Sequence, residues 1–160
     1  MFVAHFPAGY IVSRLFKDRL CKAAVMVGSV IPDIDLAYFY TFGHRAVVHH
    51  EYWTHMPLFW LTISLLALIV VSFVKWSSHK VVLAFAVGTM VHLFLDSFIG
   101  TIYWFYPFSD LYVTFFTVPA RHETWQLNFL LHWTFMCELS ICVAAAYLFI
   151  RQRYRQWRLA

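Results

Sequence analysis

The feature of the sequence that most restricts the fold is an apolar run without any charged residue, at residues 57–74. As an α-helix this run would extend about 27 Å, close to the roughly 30 Å thickness of the hydrocarbon core of a bilayer. The whole chain is similarly apolar: 62% of its 160 residues are hydrophobic and only 12% are charged, whereas a soluble domain carries about 25% charged residues. This length and composition predict a single domain, residues 1–160, embedded in a lipid bilayer.

Four other segments have the apolar character expected of helices, although two of them are shorter or more polar than residues 57–74. The five predicted helices cover residues 2–16, 20–40, 57–74, 81–106 and 126–150. We therefore expect an all-α, polytopic membrane protein with a bundle of about five membrane helices.

The positions of the basic residues predict how this bundle is oriented. They form three groups: Arg14, Lys17, Arg19 and Lys22; Lys75 and Lys80; and Arg151, Arg153, Arg155 and Arg158. Five helices with the N-terminus outside and the C-terminus in the cytoplasm place all three groups on the cytoplasmic side, as the positive-inside rule requires. A basic tail can also contact nucleic acid, but a tail that follows an apolar helix is more typical of a membrane anchor. We therefore expect the lipid bilayer as a partner, and no nucleic acid.

The same topology brings ionisable side chains from distant parts of the sequence to the extracytoplasmic side. These side chains are His5, Asp33, Asp35, His50, His55, His92 and Asp96. Ionisable residues are costly in a membrane and tend to mark function, and histidine and aspartate are ligands of zinc, manganese and iron. The alternative is a set of polar residues that serve structure alone.

His92 and Asp96 are four residues apart in an apolar segment, so that they share one face of a helix. The pair could bind one metal ion together, or Asp96 could orient a metal-binding His92. The alternative for this pair is a buried hydrogen bond that only ties helices together.

Two further motifs carry the other candidate ligands. Asp33 and Asp35 follow Pro32, which is expected to end or kink the helix; two carboxylates at such a break can chelate a cation, or they can cap backbone amides in a turn. His50 and His55 are five residues apart, not the four of the zincin motif H-E-x-x-H. They can therefore meet at one metal only if this segment is bent or non-helical.

The order of these motifs resembles the YdjM-like family of membrane-bound, metal-dependent hydrolases. The matching stretches are "AHFPAGY" with His5, "PDID" with Asp33 and Asp35, "HEYWTH" with His50, Thr54 and His55, and "HLFLD" with His92 and Asp96. The resemblance covers roughly residues 5–107. One departure is Glu51, which stands where the family usually has arginine.

The resemblance implies a hydrolase that binds one to three divalent ions, with zinc as the leading candidate, in a bacterial inner membrane. The expected metal ligands are His5, Asp33, Asp35, His50, His55, His92 and Asp96. Asp33, Asp35 and Asp96 are also the candidate catalytic carboxylates, and Arg121 and His122 are candidates for contacting an anionic substrate. A metal ion that activates water would suit a phosphoester or phospholipid-type substrate, either a small molecule or a lipid. We expect this site to face the extracytoplasmic side.

Two other functions are compatible with the same residues. A transporter or proton-relay subunit could use His92, Asp96, His132 and Glu138 as an ion path, although the six-residue spacing of the last two places them on different helix faces. A non-catalytic membrane protein could instead bind a metal ion for structural purposes.

Overall fold

The computed structural model of the protein describes residues 3–42, 49–73 and 76–159. Within these ranges the chain folds into seven α-helices joined by short 3₁₀ turns and one long irregular segment, so that the predicted all-α class is confirmed. The helices are α1 (His5–Ser13), α2 (Arg19–Gly28), α3 (Asp35–Thr41), α4 (Pro57–Ser72), α5 (Trp76–Asp96), α6 (Trp125–Leu130) and α7 (Trp133–Leu159). The 3₁₀ turns are Ile31–Ile34, His49–Glu51 and Trp53–His55.

The expectation of five membrane helices is wrong. In the described part of the chain two helical segments, Ser78–Asp96 and Trp133–Leu159, are long and apolar enough to cross a membrane. Helix α4 is apolar but only 16 residues long, and α1 has nine residues. An apolar composition does not by itself set helix length, because polar turns and Pro32 interrupt the first two predicted helices.

The break at Pro32 is confirmed. Helix α2 ends at Gly28, and Pro32 lies in the 3₁₀ turn Ile31–Ile34 before α3 starts at Asp35. A proline lacks the backbone N–H that would continue the helical ladder, so the predicted helix over 20–40 is divided in two.

The later helix boundaries also differ from the predicted ones. Helix α5 begins five residues before the predicted start at 81 and ends at Asp96, not at 106. The chain then continues irregularly, with an isolated antiparallel bridge between Ile102 and Val113. Helix α7 continues through the basic tail to Leu159, because arginine, glutamine and leucine all have good helix propensity.

Helix α5 lies at the centre of the bundle and packs against α1, α2 and α4. At the crossing of α2 and α5 two glycines face each other: a Cβ atom on Gly28 would collide with the Phe85 carbonyl oxygen, and one on Gly88 would collide with the Val25 carbonyl oxygen. The two backbones can approach this closely only because neither residue has a side chain. This contact places the turn that follows α2 next to the end of α5. Asp33 lies in that turn.

We expect Gly88→Ala to destabilise the protein by about 1–3 kcal/mol, because the added methyl group must push α2 away from α5. Thermal unfolding of the detergent-purified variant measures this effect. A matched control is Val87→Ile, which adds one methylene to a side chain on α5 that is 40% exposed. Equal melting temperatures for the two variants would show that the close crossing is not required.

Large apolar side chains cover the outer faces of the long helices. Leu65 and Ile69 on α4 are 59% and 50% exposed, and Val143 and Phe149 on α7 are 68% and 51% exposed. Apolar surface this extensive is typical of a protein whose solvent is lipid.

The bundle has one polar end and one basic end. On α1 the buried His5 lies at the first residue, whereas Arg14 directly follows the last residue, and the Arg14 Nη1 atom donates a hydrogen bond to Gln152 Oε1 on α7 over 2.8 Å. On α5, Lys80 is near the start and Asp96 is the last residue. The basic turn after α1 and the basic end of α7 are therefore neighbours, and the acidic and histidine side chains gather at the other end; Lys75 lies outside the described residues.

Candidate metal centre

The seven side chains that the sequence predicts as metal ligands lie together at one end of the bundle. They come from α1, the 3₁₀ turn around Pro32, the start of α3, the two 3₁₀ turns before α4, and the last turns of α5. Each of the seven is joined to at least one of the others by an imidazole–carboxylate contact of 2.9 to 3.8 Å.

Four of these residues could hold one metal ion. Asp33, His55, His92 and Asp96 each offer one donor atom, and these four atoms lie within 4.8 Å of one another. The His55 and His92 side chains are fully buried and that of Asp96 is nearly so, whereas Asp33 is partly exposed. The described part of the chain thus contains a compact donor set of two imidazole nitrogens and two carboxylate oxygens.

The four nitrogen–oxygen separations within this donor set are close to those of a tetrahedral site. His55 Nε2 lies 3.5 Å from both Asp33 Oδ1 and Asp96 Oδ2, and His92 Nε2 lies 3.6 and 3.0 Å from the same two oxygens. Bond lengths of 2.0–2.2 Å in a tetrahedral site imply donor separations of about 3.3–3.6 Å. Three of the four distances fall within or at the edge of this range, and the fourth is slightly shorter.

A backbone carbonyl fixes the orientation of His92. Its Nδ1 atom lies 2.9 Å from the carbonyl oxygen of Ser29, to which an N–H on Nδ1 can donate. This tautomer, assigned from the hydrogen bond, leaves a lone pair on Nε2 that points to the other donors. The Nε2 atom is buried and makes no hydrogen bond to any described residue, as a metal ligand would.

Asp35 fixes the orientation of His55 from the side away from the four donors. Its Oδ2 atom lies 2.9 Å from His55 Nδ1 and accepts a hydrogen bond from Thr54 Oγ1 over 2.8 Å. The Trp60 indole N–H donates to the Thr54 carbonyl oxygen over 2.7 Å, which ties this turn to α4. Asp35 is therefore positioned to orient a ligand, as in carboxylate–histidine–metal arrangements.

We expect Asp35→Asn to weaken metal binding by about 10- to 100-fold without changing the number of ions bound at saturation. The amide keeps the shape of the side chain but loses the charge that holds the His55 N–H. Titration with Zn²⁺ against a competing chelator measures the affinity. Asp110→Asn, at an exposed aspartate, is the control, and a lower saturating stoichiometry in Asp35→Asn would show that Asp35 is itself a ligand.

Three carboxylates give the cluster a strongly negative electrostatic field. Burial alone would lower the pKa of His55, but the carboxylates of Asp33, Asp35 and Asp96 outweigh burial and raise this pKa to about 11. Burial would raise the pKa of Asp33, but contacts with His5 and His55 outweigh it and hold the pKa below its ordinary value. The cluster therefore favours positive charge at its centre, which a proton or a metal cation can supply.

His5 and His50 lie beside the four donors. The His5 ring stacks on the His92 ring with centroids 3.8 Å apart. His50 Nε2 is 3.8 Å from Asp96 Oδ2, and a Cβ atom on Gly100 would come within 3.0 Å of the His50 ring. His50 and His55 occupy separate 3₁₀ turns, so the non-helical geometry that their convergence requires is present.

Two members of the cluster are partly exposed to solvent. The side chains of Asp33 and His50 are 22% and 17% exposed, whereas those of His5, His55, His92 and Asp96 are at most 5% exposed. Asp33 is therefore the most exposed side chain of the cluster.

Arg121 and His122 lie in a different environment. Their backbone N–H groups donate to Asn128 Oδ1 over 2.8 and 2.7 Å, and the two residues line a pocket together with Pro119 and His132. None of the seven clustered residues lines this pocket. Substrate contact by Arg121 and His122 stays a prediction.

Sequence reasoning missed three groups that support the cluster. The Ser29 carbonyl has no sequence signal, because any residue supplies a backbone oxygen. Gly100 follows Asp96 by four residues and has no side chain. A glycine at such a position is a signal that a neighbouring side chain can approach the backbone closely. Glu138 was considered only for an ion path, whereas its Oε2 atom accepts a hydrogen bond from the Val3 N–H over 2.7 Å and holds the segment that leads to His5.

Comparison with curated proteins and with solved structures finds no significant match. The model of the family described as "YdjM inner membrane protein" matches residues 2–158, nearly the whole chain. The match confirms the resemblance that the motifs indicated and supports association with a lipid bilayer. The chain, with its buried cluster of histidine and aspartate at one end of a helical bundle, belongs to the YdjM inner membrane protein family.

Proposed function

We propose that this protein is a membrane-embedded, metal-dependent hydrolase that cleaves a phosphoester or phospholipid-type substrate. The observation that carries the proposal is the compact donor set of Asp33, His55, His92 and Asp96, with donor atoms within 4.8 Å of one another. Buried charged and imidazole groups gathered this closely are costly unless a cation or proton joins them. Two nitrogens and two oxygens form a donor set that suits zinc, our leading candidate, as well as manganese and iron.

A divalent ion bound by these residues would supply Lewis acidity, which lowers the pKa of a water molecule toward about 7 and polarises a phosphoryl oxygen. Asp33 is the carboxylate best positioned to accept a proton from an entering water, because it is the most exposed of the three aspartates. Asp96 would hold the ion from the buried side, and Asp35 keeps the His55 ring in place through its Nδ1 atom. Because the side chains of His55, His92 and Asp96 are buried, bulk water is excluded from around them.

The position of the cluster along the helices supports a substrate that resides in the membrane. From Lys80 to His92, helix α5 rises about 18 Å. If Lys80 lies at the cytoplasmic surface, as the positive-inside rule predicts, the cluster lies in the outer half of a hydrocarbon core about 30 Å thick. A water-soluble substrate would have to enter that layer, whereas a phospholipid already has its ester groups near it.

Hydrolysis assays with detergent-purified protein test this function. The wild-type protein, loaded with Zn²⁺ or Mn²⁺, is incubated with a chromogenic phosphodiester and with phospholipids in mixed micelles, and released product is measured. We expect turnover that chelation abolishes and added metal restores. Bound metal without turnover on any ester would favour a structural metal site, and metal-dependent ion flux in liposomes without hydrolysis would favour a transporter.

A further inference from the structure

The irregular segment after α5 contains an aromatic loop, residues 103–116. Eight of its fourteen residues are aromatic, and Asp110 carries its only charge. At the tip of the loop the side chains face outward: Phe108 is 86% exposed and Leu111 is 75% exposed. Large apolar side chains grouped in this way on a loop indicate a surface that another apolar phase covers.

The base of the aromatic loop is fixed to the end of α5 that carries the metal centre. The Phe115 N–H donates to the Ser97 carbonyl oxygen over 2.8 Å. The Trp104 indole N–H donates to the Ser97 hydroxyl oxygen over 2.9 Å. Because Ser97 directly follows Asp96 in the sequence, the loop leaves the bundle beside the metal centre.

Two ring contacts join the aromatic loop to the outer faces of the two helices that can cross a membrane. Phe115 packs against Phe94 of α5 with ring centroids 6.1 Å apart. Phe116 packs against Trp133, the first residue of α7, with ring centroids 4.7 Å apart. Phe94 and Trp133 are themselves half-exposed. The lipid-facing surface of these helices therefore continues onto the loop.

The backbone of the loop is suited to the membrane interface and not to the hydrocarbon core. Among residues 103–112, the N–H groups of Phe108, Ser109 and Leu111 have an acceptor within the described part of the chain, and the other backbone N–H groups have none there. Unpaired backbone groups are too costly in hydrocarbon. At the interface, water and headgroups can accept these hydrogen bonds while the aromatic rings stay in contact with acyl chains.

The length of α5 gives the loop the same depth. From Lys80 to Asp96 the helix rises about 24 Å, and the hydrocarbon core of a bilayer is about 30 Å thick. With Lys80 at one membrane surface, as the positive-inside rule predicts, the loop begins near the opposite boundary of the core. This is the layer in which the ester and phosphate groups of phospholipids lie.

We propose that the aromatic loop inserts into the interfacial layer of the leaflet at this end of the bundle and thereby brings phospholipid to the metal centre. The insertion follows from the loop alone, whereas the use of that phospholipid as substrate rests on the proposed function. The loop contains no lysine or arginine that could select a negatively charged headgroup. Its insertion should therefore be equally deep in zwitterionic and in anionic bilayers.

The depth of a nitroxide label tests the insertion. Leu111→Cys is labelled in the full-length chain, with its three native cysteines replaced by alanine, and is reconstituted into phosphatidylcholine vesicles with and without phosphatidylglycerol. Electron paramagnetic resonance measures collisions of the label with oxygen, which concentrates among acyl chains, and with a water-soluble nickel chelate. Reference labels are placed at Val143, on the exposed apolar face of α7, and at Arg158, in its last turn.

We expect the Leu111 label to collide with both reagents, at rates between those of the two reference labels, in both kinds of vesicle. Collision with the chelate as frequent as at Arg158 would place the tip in water and overturn the proposal. Little collision with either reagent would show that a protein partner or a second copy covers the tip, which would also overturn it. Insertion in the phosphatidylglycerol vesicles alone would show that lipid charge drives the contact, contrary to the proposal.

Phe108→Asp tests whether the inserted loop brings lipid to the metal centre. We expect roughly tenfold slower turnover of phospholipid in vesicles, because the loop no longer gains the free energy of moving a phenyl group out of water, and unchanged turnover of the soluble phosphodiester. Phe108→Trp keeps an interfacial aromatic ring and should retain both rates. Equal losses on both substrates would overturn the role in lipid delivery. If the wild type cleaves no ester, the proposed function fails, and the label depth still decides whether the loop inserts.

Discussion

Replacing His92 by alanine is expected to abolish metal-dependent hydrolysis and to lower the bound metal by at least one ion per chain. His92 supplies a buried nitrogen within 3.6 Å of both Asp33 Oδ1 and Asp96 Oδ2, and the Ser29 carbonyl already orients it. Removing the imidazole leaves three donors from the set of four and a cavity beside two carboxylates. The loss of metal affinity should exceed the 10- to 100-fold loss that follows the removal of a group that only orients a ligand.

His55→Ala should give the same result, although His55 lies in a 3₁₀ turn far from His92 in the sequence. Elemental analysis of both variants, together with their initial rates on the phosphodiester, measures the effect. His79→Ala is the matched control, because His79 lies on the same helix as His92 but about 20 Å away by helical rise. Unchanged metal content in both His55→Ala and His92→Ala would refute the centre altogether.

The motifs that depend on local geometry were predictable from the sequence. A spacing of four residues on a long helix places His92 and Asp96 on one face, and that helix is present. Pro32 predicts the break before Asp33 because a proline removes a backbone donor. The prediction that distant segments meet at one end of the bundle also used a topology of five membrane helices, and the segments meet there although that topology is wrong.

Helix lengths and supporting contacts were not predictable in the same way. Apolar composition marks residues that avoid water but does not distinguish a membrane-crossing helix from the nine-residue α1, which carries His5 into the interior. The convergence of His50 and His55 depends on two consecutive 3₁₀ turns, which no periodicity signals. The Ser29 carbonyl is a backbone group, and its contact with His92 is set only by how α2 crosses α5.

Asp96→Asn is expected to have the largest effect of any single substitution at the site, reducing bound metal to background. Asp96 is fully buried and lies within 3.8 Å of four histidines: His5 through Oδ1, and His50, His55 and His92 through Oδ2. Asparagine keeps nearly the same volume but removes the negative charge. Because this one carboxylate faces all four histidines, the substitution should remove the bound metal, whereas Asp110→Asn should leave the metal content unchanged.

A thermal-unfolding titration with Zn²⁺ distinguishes this outcome from a simple folding defect. A ligand at 100 times its dissociation constant stabilises the folded state by about 2.7 kcal/mol, so the wild type should melt at a higher temperature when metal is added. Asp96→Asn should fold and melt cooperatively but show no metal-dependent increase, and Asp110→Asn should behave like the wild type. If Asp96→Asn were stabilised by Zn²⁺ as strongly as the wild type, Asp96 could not be a metal ligand. Its proximity to the four histidines would then serve packing and hydrogen bonding within the helical bundle alone.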